Sequence, residues 1–163
     1  MSRNLSIAAR RPEHVAEVLA ELMGGTAVPF PPNPGSFFAL QVDEHGTGVE
    51  VYPAGTDLRP NGPGGVGFGS DTTREPGFVA THFAISIAAG PEQIAAIAAR
   101  EGWQCAECRR GSFRVMEVWL ENTLMVEFLP PEFAAEYLAL MQPASIARRM
   151  AEARPYPPLS AAG

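Results

Sequence analysis

The stretch "THFAISIAAGPEQIAAIAAREG", residues 81–102, predicts a short apolar strand followed by a helix. Apolar residues alternate in its first half, directly after His82, as they do in a strand with one buried face. Pro91 suits the first turn of a helix, and Gly102 suits its end, because glycine readily adopts the left-handed conformation that terminates helices. The histidine at the start of such a strand is a candidate functional residue.

A second, weaker copy of this pattern opens the chain. Residues 4–9, "NLSIAA", read as a strand, and residues 12–24, "PEHVAEVLAELMG", read as an amphipathic helix with proline in its first turn and glycine at its end. Asn4 of the first copy precedes His82 of the second by 78 residues, and the later elements keep nearly the same offset. A constant offset between matching elements indicates an internal duplication.

Each copy continues with three strand candidates, separated by turns rich in proline, asparagine and glycine. These candidates are residues 26–30, 36–42 and 47–53 in the first copy and residues 103–109, 113–120 and 124–130 in the second. The order strand, helix and three strands, used twice, predicts an α+β fold.

The same pattern divides the chain into one duplicated domain and an extension. Residues 1–130 are predicted to be a single domain, with one module at residues 3–53 and the other at residues 81–130. Residues 54–80 are rich in glycine and proline, so we expect a long connector without regular structure, of the kind that often forms lids or binding loops. Residues 131–163 read as one or two short helices broken by a proline, followed by a proline-rich tail.

The composition excludes several classes of protein. The chain has 163 residues, of which 46% are hydrophobic and 18% are charged, as is typical of a globular protein with a sizeable core. A net charge of −6 disfavours nucleic-acid binding, because phosphate contacts need a concentrated basic face. No apolar run approaches the roughly 20 residues that cross a bilayer, and the N-terminus lacks a signal-peptide pattern. We therefore expect a cytoplasmic protein without a membrane or nucleic-acid partner.

Two residue types limit the chemistry that the chain supports. All 12 positively charged residues are arginine, and the absence of lysine excludes Walker-type phosphate loops and Schiff-base chemistry. The cysteines, Cys105 and Cys108, lie three residues apart in a strand candidate and so face opposite sides. A disulfide or redox pair is not expected, and a lone CxxC is half of a structural zinc site. Both are interpreted as buried or half-buried thiols.

The paired arrangement resembles the vicinal oxygen chelate superfamily, which includes glyoxalase I, epimerases, ring-cleaving dioxygenases and bleomycin-resistance proteins. The matching strings are "HFAISI" and "MVEFLP" in the second copy and "NLSIAA" and "GVEVYP" in the first, within residues 3–130. The resemblance implies two βαβββ modules whose mixed sheets curl into a cup, with a C-terminal helical extension. We also expect a homodimer, and the C-terminal helical segment is a candidate to dock either on the domain or on a second subunit.

In that superfamily, four positions inside the cup hold a divalent metal ion. The resemblance places them here at Asn4, Glu50, His82 and Glu127. Asn4 departs from the family, whose metal-binding members commonly have histidine or glutamine there, and its side chain is one methylene shorter than that of glutamine. Strand parity agrees with the assignment, because each of the four lies opposite the strand face with the bulkier apolar residues.

The resemblance also implies a chemistry for this set. Two carboxylates, an imidazole and an amide carry a net charge of −2, which balances a divalent cation such as Zn, Ni, Co, Mn or Fe. A metal there would act as a Lewis acid on an enediolate, with Glu127, or else Glu50, as the catalytic base. The leading hypothesis is a metal-dependent lyase or isomerase that acts on a small oxygenated metabolite by proton abstraction. The alternatives are a metal-free protein that binds a small molecule in the cup and a non-catalytic dimerisation scaffold.

The remaining polar and aromatic residues receive simpler interpretations. Those predicted to be solvated are His14, Arg109 and Arg110. Those that are candidates for the wall of a pocket are Tyr52, Arg114 and Trp119, with a core position favoured for Trp119.

Overall fold

The computed structural model describes residues 4–62, 65–71 and 73–152, which contain ten strands and four helices. The first module contains β1 (Asn4–Ala9), α1 (Pro12–Met23), β2 (Thr26–Pro29), β3 (Phe37–Leu40) and β4 (Gly48–Pro53). The crossover between the modules contains β5 (Thr56–Pro60) and β6 (Val66–Ser70). The second module contains β7 (Phe83–Ser86), α2 (Pro91–Glu101), β8 (Cys105–Arg110), β9 (Phe113–Leu120) and β10 (Leu124–Leu129). Two helices follow, α3 (Pro131–Leu140) and α4 (Pro143–Glu152).

The two modules form matching four-stranded mixed sheets. Their strand orders are β1-β4-β3-β2 and β7-β10-β9-β8, and in each sheet the first strand of the module pairs in parallel with its last strand. The registers also correspond, because Ser6 lies opposite Glu50 in one sheet and Ala84 lies opposite Glu127 in the other. The predicted α+β fold of two βαβββ modules is confirmed.

Helices α1 and α2 begin at proline and end at glycine, as the sequence predicts. Gly24 and Gly102 follow the last turns with φ of 66° and 69°, a conformation that glycine adopts without the steric cost of a Cβ atom. The apolar stripe of α1, which includes the buried Val15, Leu19 and Leu22, packs on β2, β3 and β4. The opposite face of that sheet is not covered by α1.

Ion pairs join α1 of the first module to α2 of the second. Arg100 forms a bidentate pair with Glu21, with N–O distances of 3.0 and 2.8 Å. Glu101 accepts from Arg100 Nε and lies 2.6 Å from His14 Nε2. Burial raises the pKa of Glu101, but the contacts with Arg100 and His14 outweigh burial and leave it below its ordinary value. The prediction that His14 is solvated is wrong, because its half-buried ring joins this interface.

A second contact between the modules caps the first helix. The carboxylate of Glu121, in the turn between β9 and β10, accepts hydrogen bonds from the backbone N–H groups of Arg10 and Arg11 at 2.7 and 2.9 Å. Backbone N–H groups at the start of a helix lack intrahelical partners, and a carboxylate placed there is favoured by the helix dipole. The turn of the second module therefore helps to position the start of α1.

The crossover is more ordered than the sequence predicts. The glycine and proline content of residues 54–80 predicts a connector without regular structure, but β5 and β6 pair in an antiparallel hairpin. The alternation Val66-Gly67-Phe68-Gly69 is the period of a strand, although glycine, which is depleted in strands, conceals it. The prediction is therefore wrong for residues 56–60 and 66–70, which pair with each other, and Phe68 of β6 also packs on Tyr52 of the first module.

The C-terminal helices meet at Pro143, as predicted. Phe133 of α3 is fully buried in the common core, and the guanidinium of Arg114 lies over its ring at 4.2 Å from the centroid. α4 contains no buried residue. The predicted proline-rich tail, residues 153–163, lies outside the described residues. Of the helices described, none has the length and apolar character needed to span a membrane.

Candidate functional site

The carboxylate of Glu50 on β4 is the centre of a hydrogen-bond network in the first module. Asn4 Nδ2 donates to its Oε1 at 2.8 Å. Ser6 Oγ and Tyr52 OH donate to its Oε2 at 2.8 and 2.6 Å. The network follows from strand geometry, because parallel pairing sets Ser6 opposite Glu50, and a period of two puts Asn4 and Tyr52 on the same face. Two of the four predicted metal ligands, Asn4 and Glu50, are therefore in direct contact.

The protonation states in this network are set by the hydrogen bonds. Burial raises the pKa of Glu50, but the hydrogen bonds from Tyr52, Asn4 and Ser6 together outweigh burial, so the pKa lies below its ordinary value. Burial, reinforced by the hydrogen bond to Glu50, raises the pKa of Tyr52 to about 12. At neutral pH the glutamate is ionised and the tyrosine keeps its proton, so the hydroxyl is the donor and the carboxylate the acceptor.

A pocket of about 350 Å³ lies beside this network. Ser6 and Tyr52 contribute its polar floor, and further hydroxyl groups of the lining belong to Thr56, Thr81 and Thr123. Apolar wall residues come from three parts of the chain: Leu58 from the hairpin, Val79 from the end of the crossover and Leu124 from the second module. The pocket therefore exists only when the crossover folds back across the first module.

Aromatic contacts hold the tyrosine of the floor. The ring of Tyr52 meets Phe30 edge to face with centroids 5.8 Å apart, and it packs on Phe68 of β6 at 5.7 Å. Such pairs contribute about 0.5–1.5 kcal/mol beyond the area that they bury. Phe68 thus links the crossover hairpin to the floor of the pocket, and the prediction that Tyr52 lines a pocket is confirmed.

The cation at the rim of the pocket is already paired. Arg74 donates from both terminal nitrogens to Asp57, at 2.7 and 3.3 Å, and Arg59 donates to the same carboxylate at 3.1 Å. The hydrogen bond from Arg74, followed by that from Arg59, lowers the pKa of Asp57. Glu75, also at the rim, is largely exposed.

Glu127, the third predicted ligand, belongs to a different network in the second module. It is buried on β10, and Arg110 Nε donates to its Oε1 at 2.8 Å. The same guanidinium pairs with Glu117, which also accepts from Trp119 Nε1 at 2.8 Å. The prediction that Arg110 is solvated is wrong, because β8 continues to Arg110 and brings its guanidinium between the two carboxylates.

His82, the fourth predicted ligand, lies just before β7 and is exposed. Its Nδ1 is 3.2 Å from the carbonyl oxygen of Ala80. By register it corresponds to Asn4, which contacts the glutamate of its own module. Among the described residues, no hydrogen bond joins His82 to Glu127, whose partner is Arg110.

The four predicted ligands do not fit a divalent metal as they are placed. In residues 4–62, 65–71 and 73–152, no group of three or more His, Cys, Asp or Glu side chains is arranged to hold a metal ion. Glu50 accepts from three neutral donors, and Glu127 is paired with Arg110, which it shares with Glu117. A divalent cation beside Glu127 would meet the positive guanidinium at close range, which is electrostatically unfavourable. The metal assignment stays a prediction.

Metal analysis tests that assignment in solution. Protein purified without chelator is compared with the His82→Ala and Glu127→Ala variants by mass-spectrometric metal analysis. Because Glu50 and Glu127 already have other partners, we expect less than one metal ion per chain. We expect the same metal content in both variants. Stoichiometric metal that is lost in both variants would show that His82 leaves Ala80, that Glu127 leaves Arg110 and that the four-ligand site forms.

Two other sequence interpretations concern residues outside the pocket. Cys105 and Cys108 are free, half-buried thiols, as predicted, and burial raises the pKa of each. Arg114 does not line the pocket described above. It donates to Glu136 of α3 from Nε at 3.0 Å and stacks on the ring of Phe133, so it fastens the C-terminal helix.

Sequence reasoning missed three residues of these networks. Ser6 shares the strand face of Asn4, so parity alone was enough to include it. Glu117 and Arg110 can be identified only from the register of the second sheet, in which Glu117 lies directly opposite Glu127. Two acidic side chains in that position repel each other, so a cation between them is expected once the register is known.

The solved structures with backbones similar to this chain include the following two. One is the oxidase ChaP-H2, with 13% identity and a TM-score of 0.43, over 80% of this chain and 92% of that chain. The other is the trypanothione-dependent glyoxalase I of Leishmania major, with 10% identity and a TM-score of 0.46, over 94% of this chain and 99% of that chain. No protein-family model matches the sequence, and no curated protein matches it. The paired βαβββ fold is assigned from the strand order and register themselves.

Proposed function

We propose that this protein binds a small organic molecule, without a metal ion, in the pocket beneath the crossover hairpin. The observation that supports the proposal is a pocket of about 350 Å³ with a polar floor at Ser6 and Tyr52 and with walls that combine aliphatic side chains with a few polar ones. Apolar walls with a few fixed polar groups are typical of small-molecule sites, which usually occupy about 300–1,000 Å³. A pocket at the lower end of that range suits a compact ligand.

Proton abstraction by a metal-dependent lyase or isomerase is less well supported by the same residues. A general base that works near neutral pH usually has a raised pKa, whereas the hydrogen bonds to Glu50 lower its pKa. Glu127, the other candidate base, is paired with Arg110. The metal analysis of the His82→Ala and Glu127→Ala variants tests this second function.

The pocket couples ligand binding to the stability of the whole chain. Its lining comes from the first module, the crossover and the second module, so a bound ligand contacts all three. A ligand that binds only the folded state stabilises it by mass action, by about 2.7 kcal/mol at a hundred times its Kd. For a chain of this size that corresponds to a rise in Tm of about 5–10 °C.

A thermal-shift screen of small aromatic and aliphatic compounds tests this function. We expect at least one compound class to raise Tm to the same extent with and without EDTA. Ala8→Phe, which fills the pocket from β1, should remove the shift, whereas Ala106→Phe, at an exposed position of β8, should retain it. A shift that disappears with EDTA, or one that survives Ala8→Phe unchanged, would contradict metal-free binding in this pocket.

A further inference from the structure

We infer that the pocket selects a ligand that donates hydrogen bonds, and above all a primary ammonium group carried on a compact apolar body. The inference rests on the proposed function, because it names the ligand class of the same pocket. The feature that carries it is the direction in which Ser6 and Tyr52 donate their hydroxyl protons.

The hydroxyl groups of the floor are available to a ligand only as acceptors. A serine or tyrosine hydroxyl has one proton and can also accept. Ser6 and Tyr52 both donate that proton to Oε2 of Glu50, at 2.8 and 2.6 Å. Their remaining capacity is the oxygen lone pairs, so the floor offers acceptors to a ligand. A ligand group that can only accept, such as a carboxylate, finds no matching donor at Ser6 or Tyr52. The other hydroxyl groups of the lining are those of Thr56, Thr81 and Thr123, and that of Thr123 donates to the carbonyl oxygen of Leu120.

The charge behind the floor favours a cation over a neutral donor. Glu50 is held as a carboxylate by three donors, and its negative charge lies directly behind the two hydroxyl oxygens. Attraction between charges is stronger in a partly buried site than in water, because the effective dielectric constant is lower. An ammonium group adds three donors to that attraction, and hydrogen bonds to charged groups are stronger than those between neutral groups.

The rim of the pocket does not reverse this preference. Arg74 is the cation of the pocket lining, and both of its terminal nitrogens donate to Asp57. Glu75 adds a negative charge beside it, with Arg10 Nε at 3.8 Å from its carboxylate. Asp57 takes two of the five N–H groups of Arg74, and an acidic ligand that approached the other three would also approach Asp57, Glu75 and Glu50.

The walls determine the rest of the ligand. Leu58, Val79 and Leu124 line the space above the floor with aliphatic side chains. A space of about 350 Å³ lies at the lower end of the range for small-molecule sites, so it suits a compact ligand body. The ligand class is therefore a small arylalkyl or alkyl amine.

Three compounds with one body and different head groups test the inference: 2-phenylethylamine, 2-phenylethanol and phenylacetate. We expect calorimetric titration to give an affinity for the amine about tenfold above that for the alcohol, since charge-assisted hydrogen bonds exceed neutral ones by about 1 kcal/mol or more. Phenylacetate should bind more weakly than both. Glu50→Gln should reduce the affinity for the amine to that for the alcohol, while Glu44→Gln, a matched loss of charge in an exposed turn, should leave the order unchanged.

The outcomes separate the inference from the proposed function. Equal affinities for the three compounds, or a preference for phenylacetate, would overturn the ammonium preference and leave small-molecule binding in place. No binding by any of the three, while the screen finds other ligands, would overturn it as well. No ligand in either experiment would remove the proposed function itself. If Glu50→Gln does not fold, Ser6→Ala replaces it, and an unchanged affinity for the amine in that variant would count against the inference.

Discussion

Replacing Arg110 by methionine is expected to lower the free energy of unfolding by about 2–3 kcal/mol. Removing one partner of a buried ion pair typically costs about 3–5 kcal/mol, and the value is discounted here because the side chain of Arg110 is 37% exposed. The substitution leaves Glu117 and Glu127 directly opposite each other on β9 and β10 with no cation between them. Urea denaturation followed by circular dichroism measures the change.

Two variants show whether that loss comes from the two carboxylates. Arg109→Met removes the neighbouring, exposed arginine and should change the free energy of unfolding by less than about 0.5 kcal/mol. In a Glu127→Gln background, Arg110→Met should cost clearly less, since only Glu117 is then left without its partner. Equal losses from Arg109→Met and Arg110→Met would mean that the bridging role of Arg110 is wrong.

Phe133→Ala is expected to destabilise the protein by about 3–5 kcal/mol, as truncations of buried phenylalanine generally do. The ring is fully buried, and Arg114 lies over its face, so its removal leaves a cavity and takes away a stacking contact. The effect would show that α3, although it follows the duplicated unit in the chain, completes the core of the second module. Thermal and urea denaturation measure it.

Leu138→Ala is the matched control on the same helix. Leu138 is 59% exposed, and its truncation should cost less than about 1 kcal/mol. Similar losses from the two substitutions would contradict the docking of α3, because a helix that is not docked gains no more from Phe133 than from Leu138.

The two modules show how one backbone can support different sites. Ser6 faces Glu50 and Ala84 faces Glu127 at the same register, so the glutamates have equivalent backbone positions. Their partners differ: neutral donors surround Glu50, whereas the guanidinium of Arg110 pairs with both Glu127 and Glu117. The first glutamate therefore keeps a negative charge beside the pocket, whereas the charge of the second is partly offset by the guanidinium that it shares with Glu117.

The sequence by itself determined the element order, the duplication and the faces of the strands. The helix ends at Gly24 and Gly102 follow from local backbone preferences. The side of β4 on which Glu50 lies follows from the two-residue period of a strand. These properties involve residues close together in the chain, so they can be derived without knowing which strands are neighbours.

Only the tertiary structure decided which side chains meet. Strand register and packing between distant segments bring Arg110 to Glu127 and leave His82 beside Ala80. They also place Phe68 of the crossover on Tyr52. A single carboxylate has several possible partners of similar energy in the sequence, and the geometry of the folded sheets selects one of them. Local periodicity places a charged residue on a face of the sheet, whereas its partner and protonation are set by the long-range contacts of the folded chain.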